Sequence, residues 1–195
     1  MELFKAFEII KKAYEEYDTT LKQKHGKPFF DTEHGIWGAS AMLDTFELFM
    51  KMHLDEKKSF VDLGSGDGRV VLIASLFTNA TGIEGNEELT KTAIAFRDRL
   101  GQEIPELLKA KFLQKDYTTE PLGQYEILFT FADHPWSEAF EKKLLNECDG
   151  YLLSYNRIFL PQTLKKGKTY WIQQLPIISY PLNRAEEDLF GRPLS

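Results

Sequence analysis

The segment Phe60-Val61-Asp62-Leu63-Gly64-Ser65-Gly66-Asp67-Gly68-Arg69-Val70 constrains this chain most: a short apolar strand breaks into glycines and passes without a linker into a helical pattern. Glycines at such a junction permit a tight turn and let a ligand approach the backbone amides where the helix begins. Their spacing narrows the choice of ligand. A dinucleotide fingerprint sets its third glycine one position beyond Gly68, where this chain carries Arg69. A Walker phosphate loop needs Gly-Lys-Ser/Thr, which does not follow.

Around this loop the pattern alternates in type. Residues 59–63, 80–84, 111–115, 125–131 and 150–155 read as strands, and 69–77, 87–100 and 137–147 as helices. Residues 168–174 and 177–180 read as a final antiparallel pair. Alternation of this kind predicts an α/β fold, a doubly wound Rossmann-like seven-stranded mostly parallel sheet with helices on both faces. Leu3, Phe7, Ile10, Tyr14 and Tyr17 recur on one face of a helix over 3–18, an N-terminal extension that either packs on the domain or covers a cleft. The polar stretch 18–31 reads as a loop, and Ser40 as the N-cap of a helix over 41–53 with Met42, Phe46, Phe49 and Met50 on its buried face. The expected division is 1–34 as helix and loop, 35–183 as the sheet domain, and 184–195 as a polar tail.

Composition sets the outer bounds. At 195 residues the chain suits one compact unit. One cysteine, Cys148, forms no internal disulfide and suits a reducing compartment, and four scattered histidines predict no metal site. The longest apolar run falls far short of the ~18 residues that span a bilayer, so a soluble cytoplasmic protein without a membrane partner is expected. The net charge of −6 argues against generic binding of nucleic acid.

An acidic residue closes each of three successive strands: Asp62, Glu84 and Asp116. The carboxyl ends of strands in an open parallel sheet form the ligand crevice, so these carboxylates should line it together. Glu84 follows Asp62 by roughly 20 residues, a spacing at which an acid accepts hydrogen bonds from ribose hydroxyls. Asp116 can receive an adenine amino group while the neighbouring Tyr117 supports the base. Asp62-Leu-Gly-Ser-Gly-Asp-Gly68, Thr81-Gly-Ile-Glu-Gly-Asn86 and Lys115-Asp116-Tyr117 together resemble the successive cofactor motifs of class I S-adenosylmethionine-dependent methyltransferases. The resemblance implies that Gly64, Ser65, Gly66 and Gly68 hold the methionine part of S-adenosyl-L-methionine, with Asp62 near its ammonium, Glu84 on the ribose and Asp116 with Tyr117 at the adenine.

The acceptor should sit beyond the fourth strand, which ends Phe131-Ala132-Asp133-His134-Pro135-Trp136. Amino-group methylases of the same superfamily carry Asp/Asn-Pro-Pro-aromatic there, and this segment resembles that motif with His134 in place of the first proline. The resemblance implies Asp133 as the group holding an amine and Trp136 as the ring that stacks on a planar substrate. Whatever the amine, desolvation between Phe131, Trp136 and Trp37 would lower its pKa, with Asp133 or His134 guiding proton loss. The competing reading makes Asp133 a helix cap and Trp136 a packing residue. Gly35-Ile-Trp-Gly-Ala-Ser40 with Gly64-Ser-Gly-Asp-Gly-Arg-Val70 is also similar to small archaeal-type and mitochondrial protein lysine methyltransferases. That similarity implies N-methylation of a macromolecule, with Trp37 closing over the cofactor. The acidic balance favours a lysine-rich protein as partner. A nucleic-acid base methyltransferase and a catalytically silent cofactor-binding module are the alternatives.

Overall fold

The computed structural model describes residues 1–26, 29–32, 35–155, 158–173, 175–183 and 189. A helix, α1 (Leu3–His25), precedes a hairpin of β1 (Phe29–Thr32) and β2 (Gly35–Gly38), and α2 (Met42–Lys51) follows. The main sheet then grows through β3 (Ser59–Leu63), α3 (Arg69–Ala74), β4 (Asn79–Glu84), α4 (Glu87–Leu100) and β5 (Lys111–Gln114). It is completed by β6 (Ile127–Thr130), α5 (Glu138–Glu147), β7 (Tyr151–Ser154), β8 (Thr169–Ile172) and β9 (Leu175–Pro181).

The seven strands lie in the order β5-β4-β3-β6-β7-β9-β8. Those from β5 to β7 are parallel, and β9 joins β7 and β8 antiparallel. The chain moves outward from β3 to β5 and returns to the other side of β3 as β6, so the strand order reverses between β3 and β6. Such a reversal opens a crevice at the carboxyl ends of the strands.

Alternate residues of each central strand enter opposite cores, as a pleated strand covered on both faces requires. Phe60, Ile127, Phe129 and Leu153 join one cluster with α1, α2 and α3. Val61, Leu128 and Leu152 join a second with Phe140 and Leu144 of α5 and with Cys148, which follows it. In the first cluster Phe7 stacks on Phe46 at 4.1 Å, and Tyr14 stacks on Phe96 at 4.1 Å. These contacts make α1 a packed element of the domain.

Several local expectations change, and the stretch read as a loop over 18–31 also holds most of β1. The first helix does not stop near residue 18 but runs to His25, where Gly26 adopts φ 70 and its amide bonds Lys22 O. The Thr19 and Thr20 hydroxyls donate one turn back, to the Glu15 and Glu16 carbonyls, so residues that usually favour loops are absorbed into the helix. Ser40 does not cap α2, which starts after Ala41 with no side-chain cap. On α2 Leu48 is buried, whereas Met50 is exposed. The segment 33–34 and nearly all of the tail expected over 184–195 lie outside the described residues.

Candidate functional site

At the strand reversal lies a cavity of about 470 Å³, within the range typical of small-molecule sites. The loop after β3, the ends of β4 and β6, the segment after β5 and the β1–β2 hairpin wall it. Asp62, Gly64, Ser65 and Gly66 line it from β3 and its loop, Glu84 from the end of β4, and Asp116 and Tyr117 from the segment after β5. Asp133 and His134 line its rim. Gly68 and Trp136 lie outside the wall.

The glycines divide by function. Gly64 has φ 80, and a Cβ built there would meet nothing within 4 Å, so its missing side chain leaves open space at the cavity wall. Gly68 has φ 82, but a Cβ there would come within 2.6 Å of the Ala93 Cβ and 2.7 Å of the Phe112 ring. Gly68 therefore permits close packing of α3, α4 and β5. At Gly66 a Cβ would lie 2.8 Å from Trp37 Nε1, which makes this glycine the seat of the hairpin tryptophan.

The loop spends its amides internally. Gly64 and Ser65 donate to Ile83 O at 2.9 and 3.1 Å, Gly68 donates to Ser65 O at 2.9 Å, and Gly66 donates to Glu84 Oε2 at 2.8 Å. Few donors are left to cradle a phosphate, which suits a phosphate-free ligand. The Ser65 hydroxyl is buried without a hydrogen-bond partner, against Gly82 of the sheet.

The carboxylates carry the opposite bias. Asp62 is 4% exposed, and its carboxylate accepts no hydrogen bond among the described residues. Burial, reinforced by Glu84 and Asp67, pushes its pKa well above the usual carboxylate range. A cationic ligand would relieve that penalty. Glu84 accepts from Gly66 N and, through Oε1, from Asn86 N at 2.8 Å, and a carboxylate with two such bonds keeps lone pairs for hydroxyl donors. Asp116 accepts from the Thr118 amide at 2.8 Å and its hydroxyl at 2.7 Å, an arrangement that fixes one carboxylate oxygen. Burial, then Asp133, Asp116 and Glu84, push the Tyr117 hydroxyl up to about 12, so it remains neutral at physiological pH.

Residues the sequence reading left aside hold the loop in place. Arg69 donates to Asp67 through Nε and Nη2 and pairs with both oxygens of Asp18 on α1, at 3.0 and 2.6 Å. Its guanidinium lies 4.9 Å from the Tyr14 ring centre and 5.5 Å from that of Trp37. The Tyr14 hydroxyl donates to Asp67 O at 2.8 Å. The sequence signal was Arg69 itself, at the place of the missing third glycine. Its partner Asp18 is 51 positions away, beyond any local pattern.

The rim is looser. His134 Nδ1 and Asp133 Oδ1 are 2.6 Å apart, with the His134 side chain 56% exposed. Trp136 turns from the cavity: its indole N–H donates to Phe159 O at 3.0 Å, and its ring stacks on Phe140 at 5.6 Å. Ser137 caps α5, its hydroxyl accepting from Phe140 N. The exposed aromatic on the cavity wall is Phe131, which leans on the Tyr155 ring at 5.6 Å.

The fold has known counterparts. Residues 19–124 match the family model described as histone methylation protein DOT1. Among solved structures, an RNA methyltransferase from Salinibacter ruber in complex with S-adenosyl-L-homocysteine superposes with a TM-score of 0.62 at 20% identity, covering 77% of this chain and 98% of its own. A methyltransferase from Geobacter sulfurreducens gives 0.58 at 13% identity, over 86% and 87%. A SAM-dependent methyltransferase from Aquifex aeolicus gives 0.56 at 18%, over 71% and 88%. No curated protein sequence matches significantly.

Proposed function

Because the chain belongs to the histone methylation protein DOT1 family and is an S-adenosylmethionine-dependent methyltransferase, we propose that it methylates a lysine side chain of a protein. The observation that carries this reading is the orientation of Trp136. A planar base held by an Asp-Pro-Pro-aromatic type of motif needs a ring to stack on, and the ring in that place is committed to Phe140 and Phe159 O. Phe131, exposed at the rim, offers an apolar flank for the aliphatic stem of a lysine instead.

S-adenosylmethionine supplies an electrophilic methyl group on a cationic sulfur. In this reading Asp62 receives the ammonium of the cofactor, because among the described residues it is the cavity carboxylate that accepts no hydrogen bond. Glu84 takes the ribose hydroxyls with its spare lone pairs, and Asp116 with Tyr117 flanks the adenine. Gly64 supplies the clearance for the methionine backbone, and Trp37 over Gly66 shields that end from water. Asp133 and His134 stand at the mouth, where a proton leaving the amine can pass to solvent through their short contact.

Calorimetry with S-adenosylmethionine and S-adenosylhomocysteine comes first, and heat from both is expected. Incubation with tritiated cofactor should then label a lysine-rich protein fraction. Label found only in RNA or DNA would overturn the lysine reading in favour of a base methyltransferase, and binding without any transfer would favour a silent module.

A further inference from the structure

A second, smaller hollow lies against the ring that shields the glycine loop. It measures about 190 Å³ and is formed by Asp18, Thr19, Leu21 and Lys22 of α1 with Trp37 and Ala39. Trp37 also lines the cofactor cavity of about 470 Å³, and among the described residues it is the side chain that the two spaces share. A space of about 150 Å³ holds a benzene ring, so the hollow has room for the greater part of an indole.

The seat of the ring is fixed. Gly66 N donates to Glu84 Oε2 at 2.8 Å, and Arg69, whose guanidinium lies 5.5 Å from the Trp37 ring centre, is held by Asp67 and Asp18. The tryptophan itself comes from a less anchored element. β1 and β2 form a two-stranded sheet apart from the seven-stranded one, and a lone hairpin depends on the side chains it packs against its surroundings. Trp37, 8% exposed, provides that packing at the glycine loop. We propose that Trp37 is a two-position gate: seated on Gly66 it closes the methionine end of the cavity, and turned into the hollow beside α1 it opens that end for cofactor exchange.

Both positions keep the ring covered. On Gly66 it lies beside the Arg69 guanidinium, and in the hollow it exchanges that contact for Leu21, Ala39 and the aliphatic stem of Lys22. Apolar area is hidden from water in either place, which keeps the second position accessible. A site that closes over its cofactor must reopen at every turnover, because S-adenosylhomocysteine has to leave before fresh S-adenosylmethionine binds. The inference rests on the cofactor site and holds whichever acceptor is methylated.

The test follows exchange instead of methyl transfer. The full chain is loaded with tritiated S-adenosylmethionine and chased with S-adenosylhomocysteine, association is followed by stopped flow, and calorimetry gives Kd. Ala39→Leu fills the hollow from an exposed position that is not part of the cofactor cavity. It disfavours the open position in free and bound protein alike, so association and dissociation should both slow at least fivefold while Kd stays within twofold and the melting temperature holds. Trp37→Ala removes the gate, and dissociation should accelerate at least tenfold. Exchange in Ala39→Leu as fast as in the parent, slower exchange accompanied by a weaker Kd and a lower melting temperature, or no acceleration in Trp37→Ala would overturn the proposal. A parent chain that binds neither S-adenosylmethionine nor S-adenosylhomocysteine would overturn the cofactor site, and the gate with it.

Discussion

At the glycine-loop end of the cavity the Arg69 side chain is 4% exposed and held by two carboxylates and two rings, whereas at the β6 end the Asp133–His134 pair has its histidine 56% exposed. The first end is joined to the core by α1, α3 and the hairpin. The second is a short segment between β6 and α5 with its tryptophan turned into the protein. A ligand common to every turnover favours a rigid, preorganised cradle, while a mouth that admits the methyl acceptor must remain open. The difference teaches where mutations should act through folding and where through transfer alone.

The sharpest way to break the comparison is at Arg69. Arg69→Met leaves Asp67, whose side chain is 2% exposed, as an unpaired buried charge, a change that typically costs about 3–5 kcal/mol. Asp18 is 36% exposed and should contribute the smaller part, since water screens it. Urea unfolding should show the loss; a variant as stable as the parent would mean that the lock is ornamental.

Next come the two glycines. Gly68→Ala should destabilise the fold by roughly 1–3 kcal/mol through overpacking against Ala93 and Phe112, with cofactor affinity following only as far as stability does. Gly64→Val should cost about 1–2 kcal/mol for its left-handed backbone but weaken the cofactor more than ~100-fold, because its side chain enters the open space. Melting curves and calorimetry on the same preparations separate the two, and equal losses of affinity at equal stability would erase the distinction.

Asp62→Asn tests the charge bias. The folded pKa of Asp62 is raised, so the folded protein holds this proton more tightly than the unfolded chain does. The free protein therefore loses stability from this group as pH rises from the ordinary carboxylate range through the raised value. Asp62→Asn should remove that loss and raise the melting temperature of the free protein at neutral pH, while weakening cofactor binding. In the parent, binding of the cationic cofactor should release a proton, measurable as a dependence of binding heat on the buffer, and no such dependence would count against Asp62 as the ammonium site.

The smallest effect is expected at the rim. Trp136→Phe loses one hydrogen bond to Phe159 O, about 1 kcal/mol, and should leave methyl transfer within about threefold. A loss of transfer by orders of magnitude with stability intact would return Trp136 to the chemistry.

Much of the framework was legible in the chain because its signals are local. The strand 59–63, the helix 87–100 and the antiparallel end pair follow from side-chain periodicity, and the structure has them within a few residues. The first helix runs past the 3–18 that its pattern indicates, since Thr19 and Thr20 carry loop preferences that their own back-bonded hydroxyls cancel. Asp62, Glu84 and Asp116 were recognisable as cavity acids from their places at strand ends. Gly68 and Trp136 were not separable from true wall residues, because whether a glycine faces a ligand or a neighbouring helix depends on atoms far along the chain.

By itself the sequence determined the alternation of strands and helices, the glycine turn and the acids that end the strands, all of which depend on neighbours within a few residues. The tertiary structure alone decided that Arg69 closes on Asp18 across 51 positions and that Asp44 meets Tyr155 across 111. It also decided that Trp136 faces inward. Those are pairings between surfaces brought together only when helices and sheet pack, and no periodicity along the chain encodes which buried charge will find which partner.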